Sequence, residues 1–159
     1  MKLTQQFKFP SEISSELFGW LLEFEKKRCL RTNSSVCLAK FDFSSTKPIS
    51  LNGKLKIQNI WQRIVHTMKL NIRSSDCLCV TGYEIKVIFT NTTKNGALVA
   101  IQRIAKAFQE TKVEFLPYEE VDRFLPFKAQ LTVWDYNEKI IYNAIIKQNL
   151  GKLSWTRSA

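Results

Sequence analysis

Ile72-Arg73-Ser74-Ser75-Asp76-Cys77-Leu78-Cys79-Val80-Thr81-Gly82-Tyr83-Glu84-Ile85-Lys86-Val87-Ile88-Phe89 is the stretch that decides how this chain folds. Cys77–Val80 and Ile85–Thr90 are two β-rich runs, and Thr81-Gly82-Tyr83-Glu84 between them reads as the turn of a hairpin. Upstream, Ile57, Ile60, Trp61, Ile64, Val65, Met68 and Ile72 recur at helical spacing, which predicts a helix with one apolar face on the core. Trp61 and Met68 belong to that face and imply no cofactor. Downstream, Asn91-Thr92-Thr93 caps a further helix with Leu98, Ile101, Ile104, Ala105 and Phe108 on one side.

Farther out the alternation continues. Pro10-Ser11-Glu12 opens an amphipathic lead-in helix over about 11–30, with Leu17, Leu21 and Phe24 on one face and Lys26-Lys27-Arg28 near its end. Ser35–Phe43 reads as a buried strand and Ser44–Gly53 as a loop. Thr111–Phe127 is irregular, Lys128–Trp134 a strand, Asn137–Leu150 a helix and Lys152–Thr156 a short last strand. The order α-β-α-β-β-α-β-α-β predicts one domain over residues 1–159. Its class is α/β (α+β), a ferredoxin-like sandwich with helices packed on a mainly antiparallel central sheet. Many unrelated functions share that architecture, so it settles no activity.

Composition narrows the classes. The chain is 45% hydrophobic and 12% aromatic, a globular rather than a disordered balance. No apolar run approaches the ~18 residues that span a bilayer. The opening Met1–Pro10 lacks an apolar signal core, so the cytoplasm is the expected location. Cys29, Cys37, Cys77 and Cys79 lack the density of a disulfide scaffold. Cys77 and Cys79 would share a strand face, but zinc needs two more ligands there and His66 is the only histidine. They read as small buried hydrophobes, and no metal site is expected. The net charge of +10 is uneven. Between Lys40 and Arg73 seven basic residues face the single acid Asp42, whereas Glu110–Asp122 holds five acids against Lys112. The basic block can attract phosphates, although each lysine alone reads as a solvated side chain.

The Ile72–Phe89 segment resembles the centre of a GGDEF domain, with its Arg-x-x-Asp pair, short strand, Gly-Gly-Asp/Glu-Glu-Phe turn and apolar strand. Thr90–Ala97 leading to Arg103-Ile104-Ala105, Glu23 with Lys27-Arg28 ahead of Ser35–Asp42, and the Gly151-Lys152 pair are similar to the flanking segments of that family. The resemblance implies a nucleotidyl-cyclase palm-type fold. It also implies where the chemistry departs. In active members, acids on the first strand and in the turn hold Mg²⁺ against the phosphates of GTP. Here Lys40 stands at the first-strand position and Tyr83 in the turn, Thr81 replaces a glycine, and Glu84 alone would hold magnesium weakly. Asp42 matches the second aspartate of that strand, which is not the essential ligand. The family's Phe-Lys and Asn-Asp stretch is replaced by the Ser44–Ser50 loop. No catalytic residue, no metal ligand and no diguanylate cyclase activity are expected.

Arg73 and Asp76 remain as the ligand-binding candidates. In the family, an Arg-x-x-Asp ahead of the turn is the inhibitory site for cyclic di-GMP. The guanidinium grips guanine O6 and N7 or a phosphate, and the carboxylate accepts from the guanine N1 and N2 edge. Both groups should then be solvent-accessible. Four residues separate Asp76 from Thr81, one fewer than is usual in the family. Arg63 and Arg103 are candidates for the second arginine that an intercalated ligand dimer needs. The leading reading is a non-catalytic cyclic di-GMP receptor that bridges to a protein partner or a second copy of the chain, needing no cofactor. The alternative is a ligand-free interaction scaffold. A nucleic-acid binder using the Lys40–Arg73 block ranks third, since no aromatic-basic stacking motif accompanies it.

Overall fold

A computed structural model of the chain describes residues 11–44, 54–110, 127–135, 138–146 and 153–158. The elements run β1 (Ser11–Glu12), α1 (Ser15–Thr32), β2 (Val36–Asp42), α2 (Lys54–Leu70), β3 (Cys77–Thr81), β4 (Glu84–Phe89), α3 (Lys94–Glu110), β5 (Lys128–Trp134), β6 (Lys139–Ile146) and β7 (Leu153–Arg157). The strands form one sheet in the order β1-β3-β4-β2-β5-β6-β7. Only β1 runs parallel to its neighbour; every other pair is antiparallel. Within this sheet β2-α2-β3-β4-α3-β5 is a βαββαβ unit whose strands lie in the order second, third, first, fourth. That is the ferredoxin-like arrangement expected from the sequence.

Alternation along the strands assigns two faces to the sheet. Phe41, Leu78, Ile85, Val87, Phe89, Leu131 and Val133 point into the main core, which α2 closes with Ile64 and Met68 and α3 with Ile101, Ile104 and Phe108. The rings of Phe41, Phe43, Phe108 and Phe127 pack against one another there. On the opposite face α1 covers a smaller cluster of Phe18, Val36, Leu38, Cys79 and Ile88. The hairpin forms as expected. Thr81 pairs with Glu84, and Gly82 takes a φ of 58°, a region glycine enters without strain. Thr93 caps α3 by accepting from the Gly96 N–H at 3.1 Å.

Two expectations are corrected. The helix read over Asn137–Leu150 is the strand β6 across Lys139–Ile146, with residues 147–150 outside the described residues. Asp135 starts a tight turn in which its N–H donates to the Glu138 carbonyl at 3.1 Å and its Oδ1 accepts the Glu138 N–H at 2.9 Å. The β-branched Ile140 and Ile141 then follow the pleat, and β6 gains partners on both edges. The lead-in helix is also shorter and rotated. Ser11–Glu12 pairs with β3 instead, and Ser14 caps α1 by accepting from the Leu17 N–H at 3.2 Å. The face α1 buries is Phe18, Glu25 and Cys29, so Leu17 and Phe24 are left exposed. The reason is register: Phe18 meets the apolar end of the sheet near Leu38 and Ile88, and the Asn33 C-cap at φ 53° fixes where the helix stops.

Helix α2 buries Ile64 and Met68 with Trp61 and Val65 packed beside them, as its stripe predicts; the side chains of Ile57 and Ile60 lie outside those described. The Gly151-Lys152 pair, the Ser45–Ser50 part of the replaced loop and the acidic run beyond Glu110 also lie outside the described residues. Among the described residues no helix is long and apolar enough to cross a membrane.

Candidate functional site

The chain leaves α2 at Leu70 and turns through Asn71–Asp76 before entering β3. Asp76 closes that turn from both ends. Its N–H donates to the Arg73 carbonyl at 3.0 Å, and its Oδ2 accepts the Arg73 N–H at 2.9 Å. Its Oδ1 accepts the Thr90 N–H at 3.3 Å and Arg73 Nη2 at 3.1 Å, and Arg73 Nε adds a longer contact to Oδ2 at 3.4 Å. Arg73 Nη2 also donates to the Thr90 carbonyl and to Thr92 Oγ1, both at 2.5 Å. The pair therefore stitches the exit of α2 to the end of β4.

The two partners differ in exposure. The Arg73 side chain is 51% exposed, whereas Asp76 is 1% exposed. The expectation that both would face solvent holds for Arg73 and fails for Asp76. A carboxylate at that depth is kept by the donors around it, here two backbone N–H groups and a guanidinium. It positions Arg73 and has no free edge for a guanine. Arg73 Nη1 makes no hydrogen bond among the described residues and remains the open part of the pair.

Of the proposed second arginines, Arg103 is brought to this turn and Arg63 is not. Arg103 donates to the Asn71 carbonyl from Nε at 3.1 Å and Nη2 at 2.7 Å. Arg63 instead borders a separate cavity of about 750 Å³ with Trp61, His66 and Lys69. Sequence reasoning missed Arg28. It grips Glu25 at 2.6 Å and reaches Asn91 Oδ1 at 3.0 Å, so the Thr90–Thr92 loop is held by Arg73 and Arg28 together. Burial pushes the Cys77 thiol pKa up, with the charges of Asp76 and then Glu25 adding to it. No local spacing announces that meeting, because 63 residues separate Arg28 from Asn91.

At the hairpin tip, Tyr83 is tied into the fold. Its carbonyl accepts the Phe43 N–H at 2.8 Å, and its ring stands edge-on to Trp61 with centroids 5.9 Å apart. Register sets Asp42 opposite Glu84 and Lys40 opposite Lys86 on the α1 face. Hydrogen bonds from Ser44, with Lys128 adding, hold the Asp42 carboxyl below the usual carboxylate range. Lys40 lies on β2 one residue pair away from Asp42 on that face, and Cys77 and Cys79 are free thiols.

No family model matches the sequence, and no curated protein matches it. Solved structures do match. The coiled coil and GGDEF domain of DgcB from Caulobacter crescentus, in complex with c-di-GMP, superposes with a TM-score of 0.64 at 11% identity, over 80% of this chain and 68% of that one. The FimX GGDEF domain from Pseudomonas aeruginosa gives 0.58 at 15% identity, over 80% and 78%. Diguanylate cyclase SiaD from the same organism, in complex with its activator SiaC, gives 0.58 at 19% identity over 79% of this chain and 48% of that one. At these identities the likeness shows the fold. The fold is GGDEF-like.

Proposed function

We propose that this GGDEF-like chain acts as one domain that receives cyclic di-GMP rather than making it. The observation that carries the reading is the Arg73 guanidinium, half-exposed and pinned by the buried carboxylate of Asp76. Pinning removes most of the rotamer entropy that a free arginine loses on binding. Nη1 is then free to donate to a guanine or phosphate oxygen, with Arg103 anchored on the neighbouring Asn71 as a second donor. Asp76 acts through Arg73. The DgcB domain, of the same fold, was solved with c-di-GMP. The absence of cyclase chemistry in this reading rests on Lys40 and Tyr83, which leave Asp42 and Glu84 as the acids nearest a two-metal site.

Calorimetry with cyclic di-GMP, beside GTP, tests the reading. Arg73→Ala should weaken cyclic di-GMP binding by roughly 5- to 150-fold, the equivalent of about 1–3 kcal/mol. Absence of saturable binding at ~100 µM ligand would remove the receptor role. Conversion of GTP to cyclic di-GMP with Mg²⁺ or Mn²⁺ would remove the non-catalytic half.

A second reading, a protein-docking scaffold, is favoured by α1. Leu17, Trp20 and Phe24 lie exposed along one side, with Trp20 and Phe24 stacked at 5.8 Å. Lys27 and Arg31 continue the same side toward the C-terminal end. Charge complementarity fits an apolar helix of a partner with an acidic flank.

A further inference from the structure

Following the register across the sheet gives one transverse row on the α1 face: Cys79, Lys86, Lys40, Gln130, Asn143, Thr156. At its centre two lysines stand directly opposite each other on antiparallel strands. Directly opposed side chains start about 4.5–5.5 Å apart, and like charges there are destabilising. The adjacent row supplies the acids Glu84 and Asp42, which relieve this only in part. Glu84 reaches Lys86 at 3.7 Å, and Asp42 is occupied by the Ser44 N–H at 2.8 Å. Lys40 has no ion pair or hydrogen bond among the described residues.

Helix α1 does not close over this row. A cavity of about 270 Å³ opens between them, bounded by Gly19, Lys40, Lys86, Gln130, Trp134 and Lys139, with no carboxylate in its lining. Gly19 is informative. Glycine inside a helix is destabilising, and a Cβ built there meets no atom within 4 Å, so packing does not demand it. A side chain at that position would project at the mouth.

We propose that this cavity is a metal-independent site for a phosphoryl group, held by Lys40 and Lys86 with Gln130 as an uncharged donor. Two lysines opposed on neighbouring strands beside so small a volume call for a multiply charged anion of phosphate or diphosphate size, while Lys139 lies over the Trp134 ring toward the other end of the lining. Occupation would offset the Lys40–Lys86 repulsion, which explains why the sheet tolerates it. The site is separate from Arg73, which is bonded beyond the other end of β4 at Thr90.

Titration calorimetry of the full chain with pyrophosphate in EDTA tests it. Saturable binding is expected, weakened at least about tenfold by Lys40→Gln and less than about twofold by Lys106→Gln, an equal loss of charge on the exposed side of α3. Gly19→Leu should also weaken binding by crowding the mouth, which keeps the test decisive if Lys40→Gln folds poorly. Lys40→Gln should leave cyclic di-GMP binding at Arg73 unchanged, so the two sites fail independently. A nucleoside triphosphate binding as pyrophosphate does would assign the site to the phosphoryl group alone; tighter binding would add a base contact to it. No saturable heat at ~5 mM pyrophosphate would overturn the proposal. So would equal weakening by Lys40→Gln and Lys106→Gln, which marks general attraction to a basic chain, or binding that appears only with added Mg²⁺.

Discussion

Strand β2 carries the two faces of the sheet side by side, and they are built differently. Cys37, Ala39 and Phe41 are sealed between the sheet, α2 and α3. Val36 and Leu38 meet α1, but the next two residues on that face are Lys40 and Asp42. The first face is apolar from β3 across to β5 and is closed by interlocked rings. The second is apolar only where Phe18 reaches, and polar beyond it. A charge on the first face would have to be desolvated among close-packed side chains. On the second it needs only to lean past the edge of α1. The main core can therefore hold the fold while the α1 face carries side chains that cost stability, which is where chemistry can be placed on a rigid sheet.

The largest effect should come from removing a core ring on β2. Phe41→Ala is expected to lower unfolding free energy by about 3–5 kcal/mol. Leu38→Ala, on the same strand and facing the other way, should cost about 2 kcal/mol, the low end of its class, because it borders a cavity that water can enter. Urea unfolding of the two variants gives the comparison directly. Equal losses would mean that α1 seals its face as tightly as α2 and α3 seal theirs.

How much of this was legible depends on how local the signal is. The hairpin was readable because Thr81-Gly82-Tyr83-Glu84 sits between two β-rich runs, and α2 and α3 because each carries an apolar stripe at helical spacing, more than four turns long in α2. Asn137–Leu150 misled because Ile140, Ile141, Ala144 and Ile145 also satisfy helical spacing, and what makes β6 a strand is an Asp135–Glu138 turn plus pairing to β5 and β7. The α1 stripe misled by one residue, since Leu17 and Phe18 are both apolar and only the sheet decides between them. For the site, Arg73 and Asp76 were visible as a pair, but the burial of Asp76 depends on the Thr90 N–H, and the setting of Arg73 on the Thr92 hydroxyl, both beyond the hairpin. The Lys40–Lys86 opposition depends on strand order, which spacing alone does not encode.

Asp76 lies where the turn after α2 meets the end of β4, and its loss should rank second. Asp76→Ala strips acceptors from the half-buried hydrogen bonds of the Arg73 and Thr90 N–H groups and removes the buried carboxylate that holds the Arg73 guanidinium, for an expected cost of about 2 kcal/mol. Arg73→Ala should cost about 1 kcal/mol, because Asp76 keeps both backbone donors and the arginine is half-exposed. Chemical denaturation separates them. The ranking also sharpens the receptor reading: both variants should lose cyclic di-GMP, but only Asp76→Ala should do so with a large fall in stability. If Arg73→Ala is the more damaging to the fold, the pair is a structural clasp and little else.

The smallest effect has the opposite sign, and the sign is the argument. Lys40→Gln removes one of two like charges that register holds opposite each other, so at low salt it should raise stability by about 0.2–1 kcal/mol. No comparable gain is available at Lys106, which lies on the exposed side of α3 and approaches Glu110 at 3.9 Å. Lys106→Gln should therefore be neutral or slightly destabilising, by about 0.3 kcal/mol. Raising the ionic strength separates charge repulsion from packing. At 1 M salt the Debye length falls to about 3 Å, and the gain from Lys40→Gln should largely vanish, whereas a gain from better packing would persist. Urea midpoints at low and high salt for the two variants suffice. If Lys40→Gln destabilises at low salt, Lys40 is already paired in the folded protein, and the α1 face is as fully satisfied as the core on the other side of β2.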